Sequence, residues 1–350
     1  MRIEETMTQK PEIKSMNLKE LTEFVTALGE KPFRAKQLYQ WMHQKLSVSF
    51  DEMTNLSTSF RNTLKQECTY TILKQVDIQI SGIDDTRKYL FQLEDGNVVE
   101  SVLMHYKYGN SVCISSQAGC RMGCRFCASA IGGLKRNLLP SEMLEQIYRI
   151  QADTKERISN VVVMGTGEPL DNYENLLKFI ELISNEDGLH ISQRNLTIST
   201  CGIVPNIRRL AEENLQITLA LSLHASSQKK RRELMPIAAE YDIYEVIGAC
   251  QYYFEQTGRR ITFEYSLAAG VNDTEEDAKA LAELISGINC HVNLIPINPV
   301  KERGFIGSNQ TAAKAFRQKL EDNRINATIR RETGRDIDAA CGQLRRRWGK

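Results

Sequence analysis

The residues best suited to chemistry are three cysteines that stand close together in the segment CRMGCRFC. Cys120, Cys124 and Cys127 have the spacing C-x3-C-x2-C. Three thiolates at such short spacing can ligate three irons of one [4Fe–4S] cluster and leave the fourth iron open. Gly119 and Gly123 remove side chains where the backbone has to curl tightly. The spacing therefore predicts an iron–sulfur cluster with one iron free for a small-molecule ligand.

Zinc binding and simple burial are two alternatives that the cysteine spacing alone leaves open. A zinc site needs a fourth cysteine or histidine close by. The nearest ones, His105 and Cys113, lack the usual ligand spacing. Three buried cysteines without any metal are the second alternative. For a cluster, Arg121 and Arg125 stand where they can offset some of the negative charge of thiolates and cluster.

Glycines and polar residues close several apolar runs farther along the chain. Glu168 belongs to the segment GTGEP, which follows the run NVVVM and contains Gly167. A glycine there lets backbone N–H groups approach a ligand, and the carboxylate can accept hydrogen bonds from an ammonium group. Other runs end at Ser199, at Ser222, Leu223 and His224, and shortly before Asn298. Each alone could be structural, but together they indicate a site at the ends of strands.

Glu100 interrupts the apolar segment NVVESVLM. Alternation along a strand places Val98, Val102 and Met104 on the same face as this carboxylate. A carboxylate on an apolar face is costly unless it is paired or used, so Glu100 is a candidate general base. An ion pair with a neighbouring arginine is the structural alternative.

The spacing of apolar residues changes along the chain, and with it the secondary structure that must position these residues. Residues 17–68 have apolar side chains at helical spacing, which predicts a small helical domain at residues 1–75. Residues 76–108 contain strand-like segments and the turn Asp95-Gly96, which predicts a connecting β-hairpin region. A third region, residues 109–350, carries the cysteine segment.

This third region alternates strands and helices. Six apolar strand candidates are separated by helical stretches: VCISSQ, NVVVMG, NLTIST, QITLALSL, RITFEYSL and HVNLIPI. Six βα units predict an α/β fold with a parallel sheet, as an open doubly wound sheet or a partial (β/α)6 barrel of the TIM type. A helix near Gln310 to Asn323 and a strand in INATIRR follow. Ligands of both architectures bind at the carboxyl ends of the strands.

Composition and charge narrow the class of protein. Nine cysteines in 350 residues are an odd number, which argues against a disulfide framework. No apolar run approaches the ~20 residues of a transmembrane helix, and MRIEETMTQK lacks the apolar core of a signal peptide. We therefore expect a cytoplasmic protein without membrane association. The net charge is +1, but Ser101 to Ser141 contains no acidic residue and the last fifty residues are rich in Lys and Arg. These blocks predict either solvated faces or a surface for an anionic ligand.

Taken together, the motifs resemble a known family. The cysteine spacing with Phe126 before the last cysteine is similar to the radical-SAM signature, in which S-adenosylmethionine (SAM) binds the open iron. The segments that carry a closer resemblance are SSQAGCRMGCRFCASA, GLKRNL, MGTGEPL, SLHA, LMPI and RRETGRDIDAACGQL. They resemble the RlmN/Cfr family of radical-SAM RNA methyltransferases. GEKPFRAKQLYQWMHQK resembles the family's accessory domain, so the likeness spans nearly the full length and implies a radical-SAM barrel with an RNA-binding N-terminal domain.

The resemblance implies a role for each matching residue. Cys341 would first accept a methyl group from SAM, and a radical made from a second SAM would then activate this S-methyl group. Cys113 would resolve the covalent adduct with RNA through a transient disulfide, and Glu100 would be the general base. The family's SAM contacts fall on Gly167, Glu168, Ser199, Ser222, Leu223, His224 and Asn298.

The family acts on adenine in RNA, which implies specific partners. These are 23S rRNA, methylated at carbon 2 of an adenine in the peptidyl transferase centre, tRNA at the adenine next to the anticodon, and an electron donor such as flavodoxin. The basic C-terminal residues, Arg330 and Arg331 among them, are expected to contact RNA phosphates.

Three alternatives to this activity stay open. One is methylation of carbon 8, the reaction of the Cfr branch. The segments FCAS and GEPL are more similar to the carbon-2 branch, whereas Thr166 departs from it. A second is a radical-SAM enzyme that acts on protein or small molecules. A third, from another class, is a non-catalytic iron–sulfur protein that binds RNA.

Overall fold

The first part of the chain folds into helices, as its periodicity predicts. The structure is a computed structural model and describes residues 10–344. Three helices pack here: α1 (Leu18–Ala27), α2 (Phe33–His43) and α3 (Thr58–Glu67). Asn17 caps α1, because its side chain accepts a hydrogen bond from the backbone N–H of Glu20 while the Glu20 carboxylate accepts one from the Asn17 N–H. The predicted helical region is thus confirmed.

A sheet of ten strands forms the centre of the described part of the chain. Across the sheet their order is β1 (Lys74–Ile80), β2 (Arg87–Gln92), β3 (Val98–Tyr106), β4 (Gly109–Ile114), β7 (Ile158–Val163), β8 (Leu196–Thr200), β9 (Thr218–Ser222), β10 (Ile261–Leu267), β11 (Cys290–Pro296) and β12 (Ala327–Ile329). Two short strands pair separately: β5 (Gln117–Ala118) and β6 (Arg136–Asn137). Strands β1 to β4 pair antiparallel, and β4 and β7 to β12 run parallel.

Helices connect the parallel strands. They are α4 (Pro140–Thr154), α5 (Tyr173–Ser184), α6 (Val204–Glu212), α7 (Gln228–Leu234), α8 (Ile243–Thr257), α9 (Glu275–Leu284) and α10 (Gln310–Asp322). Six βα units and the closing strand β12 make the partial (β/α)6 barrel, so the predicted α/β fold class is confirmed. Among residues 10–344, no helix has the length and apolar character needed to span a membrane.

The strands predicted before the barrel are present and extend its sheet. The backbone N–H of Leu93 donates to the Asn97 carbonyl at 2.8 Å, and Gly96 has a φ of +79°, so Asp95-Gly96 forms the predicted turn. Because β3 pairs with β4, the hairpin adds antiparallel strands to one edge of the barrel. The division of the chain into three regions stays a prediction.

Alternation gives the parallel strands one apolar face and one polar face. On β10, Ile261, Phe263 and Tyr265 pack in the hydrophobic core, whereas Glu264 and Ser266 line a cavity inside the barrel. The same alternation on β8 and β9 turns one serine of each strand towards this cavity: Ser199 and Ser222. The polar inner face is therefore where a site can form.

Buried polar contacts join the N-terminal helical region to α4. Lys14 Nζ donates to Glu145 Oε1 at 2.7 Å with both side chains fully buried, and Arg149 Nε lies 3.1 Å from the other oxygen of Glu145. His43 Nδ1 lies 2.8 Å from the Tyr148 hydroxyl. Burial lowers the pKa of His43 to about 3, so its ring is neutral. The helices are thus attached to the barrel through its first crossover helix.

Candidate active site

A cavity of about 150 Å³ lies at the carboxyl ends of the parallel strands, where the order of the sequence motifs places a site. Most of the predicted site residues line it: Cys120, Cys124, Cys127, Gly167, Glu168, Ser199, Ser222, His224, Asn298 and Cys341. Three predicted residues lie elsewhere: Glu100, Cys113 and Leu223. The Leu223 side chain packs in the hydrophobic core, while its backbone N–H donates to the Glu264 carbonyl at 3.0 Å.

The three cysteines occupy the loop between β5 and β6. Burial raises the pKa of the Cys120 thiol to about 12, so metal binding has to supply the free energy that ionises it. Among residues 10–344, no three thiol, imidazole or carboxylate groups are close enough to hold one metal ion. The three cysteines line one cavity, which leaves room for a small ligand on the open iron of a cluster.

Two glycines allow the backbone to approach the cavity closely. Gly119 has a φ of +79°, and a Cβ atom there would lie 2.1 Å from the Gly133 carbonyl oxygen. Gly167 has a φ of +113°, and a Cβ atom there would lie 2.7 Å from Gln117 Cβ. Any larger residue would displace the cysteine loop or the GTGEP turn, so both glycines allow close packing of the chain segments around the cavity.

Glu168 is a buried carboxylate at the floor of the cavity, only 3% exposed. Its Oε1 accepts from the backbone N–H of Leu170 at 3.0 Å, and its Oε2 accepts from that of Cys201 at 2.8 Å. Burial raises the pKa of Glu168, and these backbone donors oppose the shift. The carboxylate is therefore fixed in position, with lone pairs left to accept hydrogen bonds from an ammonium group.

His224 presents a hydrogen-bond donor to the same cavity. Its Nδ1 accepts from the backbone N–H of Ser266 at 3.0 Å, which places the proton of the neutral ring on Nε2. Burial, and then the charge of Arg231, lowers the pKa of His224 to about 3. The ring meets Phe126 edge to face at 4.9 Å, so its orientation is fixed by both contacts.

Cys341 belongs to residues 331–344, which we call the C-terminal segment. The segment is held against the cysteine loop, because Ser129 Oγ donates to the Leu344 carbonyl at 2.8 Å. On the other side, Asn298 Nδ2 donates to the Cys341 carbonyl at 3.3 Å. These contacts keep the sulfur at the rim of the cavity that holds the three cysteines.

The hairpin of β1 and β2 holds the same segment from outside the barrel. Ser81 Oγ donates to one oxygen of Asp336 at 2.7 Å, and the backbone N–H of Gly82 donates to the other at 2.9 Å. Lys88 Nζ donates to the carbonyl of Ile337. The hairpin therefore takes part in placing Cys341, a role that its sequence did not indicate.

A second cavity beside the first brings Cys113 and Cys341 together. Cys113 lies on β4 in an apolar cluster with Val102 and Met104, and burial raises the pKa of its thiol to about 12. Arg330 Nη1 donates to Cys341 Sγ at 3.1 Å. The two cysteines singled out by the resemblance thus share one cavity, although they are far apart in the chain.

The arginines do not all lie where the sequence suggested. Arg330 lines the cavity, whereas the neighbouring Arg331 is exposed. The expected contact of these residues with RNA phosphates stays a prediction. Arg121 is 64% exposed and pairs with Asp171. Four further basic residues near the end of the chain lie outside the described residues: Arg345, Arg346, Arg347 and Lys350.

The buried positive charge beside the cysteine loop belongs to Arg231, which sequence reasoning missed. Arg231 is fully buried, and its Nη2 donates to the Cys201 carbonyl at 2.6 Å. Glu264 was missed as well; it is 4% exposed and accepts from Asn293 Nδ2 at 2.9 Å. A charged residue within the apolar run RITFEYSL was the signal that could have identified it.

Glu100 lies behind the cysteine loop. It is 5% exposed and lines a small cavity with Lys135 and Ser129. Ser129 also lines the cavity that contains the three cysteines. A role of Glu100 as general base stays a prediction.

Comparisons with known proteins agree with this geometry. The family model of the ribosomal RNA large subunit methyltransferase N-terminal domain matches residues 12–69, and that of the radical SAM superfamily matches residues 114–285. A solved radical SAM methyltransferase from Sphaerobacter thermophilus is 41% identical, with a TM-score of 0.92 over 96% of this chain and 99% of that one.

Curated relatives are similar over the same length. A probable dual-specificity RNA methyltransferase RlmN from Lachnospira eligens is 62% identical over 96% of both chains. One of the same name from Lachnoclostridium phytofermentans is 57% identical over 98% of this chain and 96% of its own.

The barrel, the three-cysteine loop and the superfamily match define a radical SAM enzyme, which uses a [4Fe–4S] cluster and SAM. Similarity that extends through both the N-terminal helices and the barrel is more specific. The chain belongs to the RlmN family of radical SAM RNA methyltransferases.

Proposed function

We propose that this enzyme methylates carbon 2 of an adenine in the peptidyl transferase centre of 23S rRNA and of the adenine next to the anticodon in tRNA. The name of the relatives, dual-specificity RNA methyltransferase, supports two RNA substrates. The observation that carries the proposal is that Cys341, Glu168 and the three cysteines of the loop line one cavity. A protein thiol is thereby available beside the place where the radical forms.

Different residues of the cavity bind the cluster and SAM. Cys120, Cys124 and Cys127 would hold the cluster. Glu168 would accept from the amino group of SAM, and the Nε2–H of His224 would donate to an acceptor atom of SAM. The other proposed SAM contacts are Gly167, Ser199, Ser222, Leu223 and Asn298. When bound, the cluster supplies the electron that releases a 5′-deoxyadenosyl radical from SAM. The surrounding barrel keeps that chemistry away from water.

The sulfur of Cys341 supplies the nucleophile that carbon 2 of adenine cannot be. Carbon 2 of adenine is not nucleophilic, so it cannot displace a methyl group from SAM directly. The thiolate of Cys341 can accept that methyl group by substitution and then deliver it by a radical route. Cys113, in the adjoining cavity, is placed to exchange with the sulfur of the resulting adduct. We assign the general base that removes a proton from the adduct to Glu100.

The RNA has to present its adenine outside a helix, because carbon 2 is inaccessible in stacked pairs. We propose that the N-terminal helices and the exposed basic residues of the C-terminal segment, such as Arg331, contact RNA phosphates. A cytoplasmic location and an electron donor such as flavodoxin complete the proposal.

Mass spectrometry of digested RNA tests this function. Reconstituted enzyme is incubated anaerobically with SAM, a reductant and unmodified 23S rRNA or tRNA. The wild type and the control Cys68→Ala, a buried cysteine of the helical region, should form 2-methyladenosine. Cys120→Ala and Cys341→Ala should form none. A product of 8-methyladenosine would contradict the assignment of carbon 2. Cleavage of SAM without methylation of RNA would contradict the assignment of these RNAs as substrates.

A further inference from the structure

We propose that Arg330 is a catalytic residue that holds the sulfur of Cys341 as a thiolate and aims it at the methyl donor. The inference rests on the proposed function, because Cys341 is the residue that this function methylates. The inference adds Arg330 as the residue that stabilises the sulfur anion of Cys341 before this cysteine is methylated.

The position of Arg330 follows from strand pairing. It directly follows β12, and its backbone N–H donates to the Leu294 carbonyl of β11 at 2.8 Å. Since Ile329 packs against the hydrophobic core, alternation turns the next side chain towards the barrel interior. There Arg330 Nη1 reaches Cys341 Sγ at 3.1 Å, and the guanidinium lines both cavities.

The contact with Arg330 places a permanent cation against the Cys341 sulfur. A thiolate removed from water needs a neighbouring cation, and arginine keeps its charge in such places. The Glu264 carboxylate lines the same cavity as the Arg330 guanidinium and the Cys341 sulfur. Asn293 fixes the Glu264 carboxylate by donating to it at 2.9 Å. The guanidinium is thus held between a carboxylate and a sulfur.

The two cysteines of this cavity have different surroundings, which assigns their order of use. Cys113 is 6% exposed in an apolar cluster, and burial raises the pKa of its thiol to about 12. Cys341 has the guanidinium at its sulfur. Tyr106 of β3, whose pKa burial raises, and Glu332 of the C-terminal segment also face this region. The guanidinium contact therefore assigns Cys341 as the nucleophile.

Methylation of Cys341 uses SAM, the methyl donor of the family. The Cys341 thiol first releases its proton to solvent, and Arg330 stabilises the sulfur anion that remains. The anion attacks the methyl carbon of the sulfonium donor, so a sulfur–carbon bond forms at Cys341. The bond between the methyl group and the sulfonium breaks, and its electron pair returns to the departing thioether.

Alkylation by iodoacetamide tests the proposal without any methyl transfer, because this neutral reagent also reacts with the thiolate. Cluster-containing protein is alkylated anaerobically at pH 7.5, and the Cys341 peptide is quantified by mass spectrometry. Arg330→Met should slow alkylation of Cys341 by about tenfold or more, and Arg330→Lys by less. The control Lys314→Met, which changes an exposed cation of α10, should react like the wild type.

Folding and function are separated by two further readouts. Cluster absorbance and the thermal unfolding midpoint should be unchanged in the variants, so that a slower reaction reports on the sulfur. Alkylation of Arg330→Met at the wild-type rate would overturn the proposal. Incubation with SAM should add a methyl group to Cys341 of the wild type and not of Arg330→Met. If the wild type gained no methyl group, the proposed function would fail, whereas the alkylation rates would still decide the role of Arg330.

Discussion

At the scale of single residues, Glu168 shows how the fold fixes a ligand contact. Two backbone N–H groups hold its two oxygens. Glu168→Gln replaces one acceptor oxygen with a donor that faces an N–H group, and it removes the negative charge. We expect SAM to bind about tenfold more weakly, as measured by isothermal titration with cluster-containing protein. Glu174→Gln, an exposed carboxylate of α5, is the control, and equal affinities of the two variants would contradict this role.

The buried ring of His43 should make the free energy of unfolding depend on pH. Its pKa is about 3 in the folded protein and ~6.5 when unfolded, so below pH 6.5 the unfolded chain binds the extra proton. The stability that depends on the neutral ring is complete above pH 6.5 and is lost as the pH falls towards 3, by up to about 1.4 kcal/mol per pH unit. In urea unfolding at pH 7 and pH 5, His43→Asn should lose less stability between the two values than the wild type. Equal losses would mean that other groups set this slope.

Residues that end an apolar run could be predicted from sequence, and those that act through a distant partner could not. Glu168 and His224 stand in the loops that follow β7 and β9, so the strand pattern alone placed them at one edge of the sheet. Arg330 and Arg331 are adjacent in the chain and chemically identical. Only the pairing of β12 decides that the first points to Cys341 and the second to solvent.

At the scale of elements, the role of the hairpin of β1 and β2 also depends on distant partners and could not be predicted from sequence. The Asp95-Gly96 turn, which joins β2 to β3, and the alternation of residues predicted the strands of this region. That these strands would extend the barrel and hold the C-terminal segment depended on an edge pairing between β3 and β4, which local sequence does not encode. The hairpin closes one side of the site because the partial barrel leaves an edge of its sheet there.

Removal of this contact should affect the reaction more than cofactor binding. Asp336→Ala loses the hydrogen bonds from Ser81 and Gly82, so the C-terminal segment should sample positions away from the cavity. We expect kcat for RNA methylation to fall by about three- to tenfold, because small misplacements of a reacting group are costly. The affinity for SAM should stay unchanged. Asp322→Ala, at the exposed end of α10, should match the wild type in both, and a loss of SAM affinity in Asp336→Ala would contradict a positioning role.

At the scale of the whole molecule, the N-terminal helices and the barrel are tied through buried polar groups as well as apolar packing. Lys14 is fully buried between the two regions, and its Nζ donates to Glu145 at 2.7 Å and to the Thr71 carbonyl at 2.7 Å. An ammonium in such a place stays charged only while its acceptors surround it. The two regions should therefore unfold together rather than one after the other.

Two lysines that cross the same boundary allow a matched test of this coupling. Lys14→Met leaves Glu145 buried with Arg149 as its remaining cation, and we expect the free energy of unfolding to fall by about 3 kcal/mol. Lys36 of α2 pairs with Asp187 at 2.9 Å but is 57% exposed, so Lys36→Met should cost less than about 1 kcal/mol. Urea unfolding followed by helical circular dichroism and by cluster absorbance gives both values. Coincident transitions in the wild type would support one cooperative unit, and a first transition that left the cluster intact would show that the helices unfold on their own.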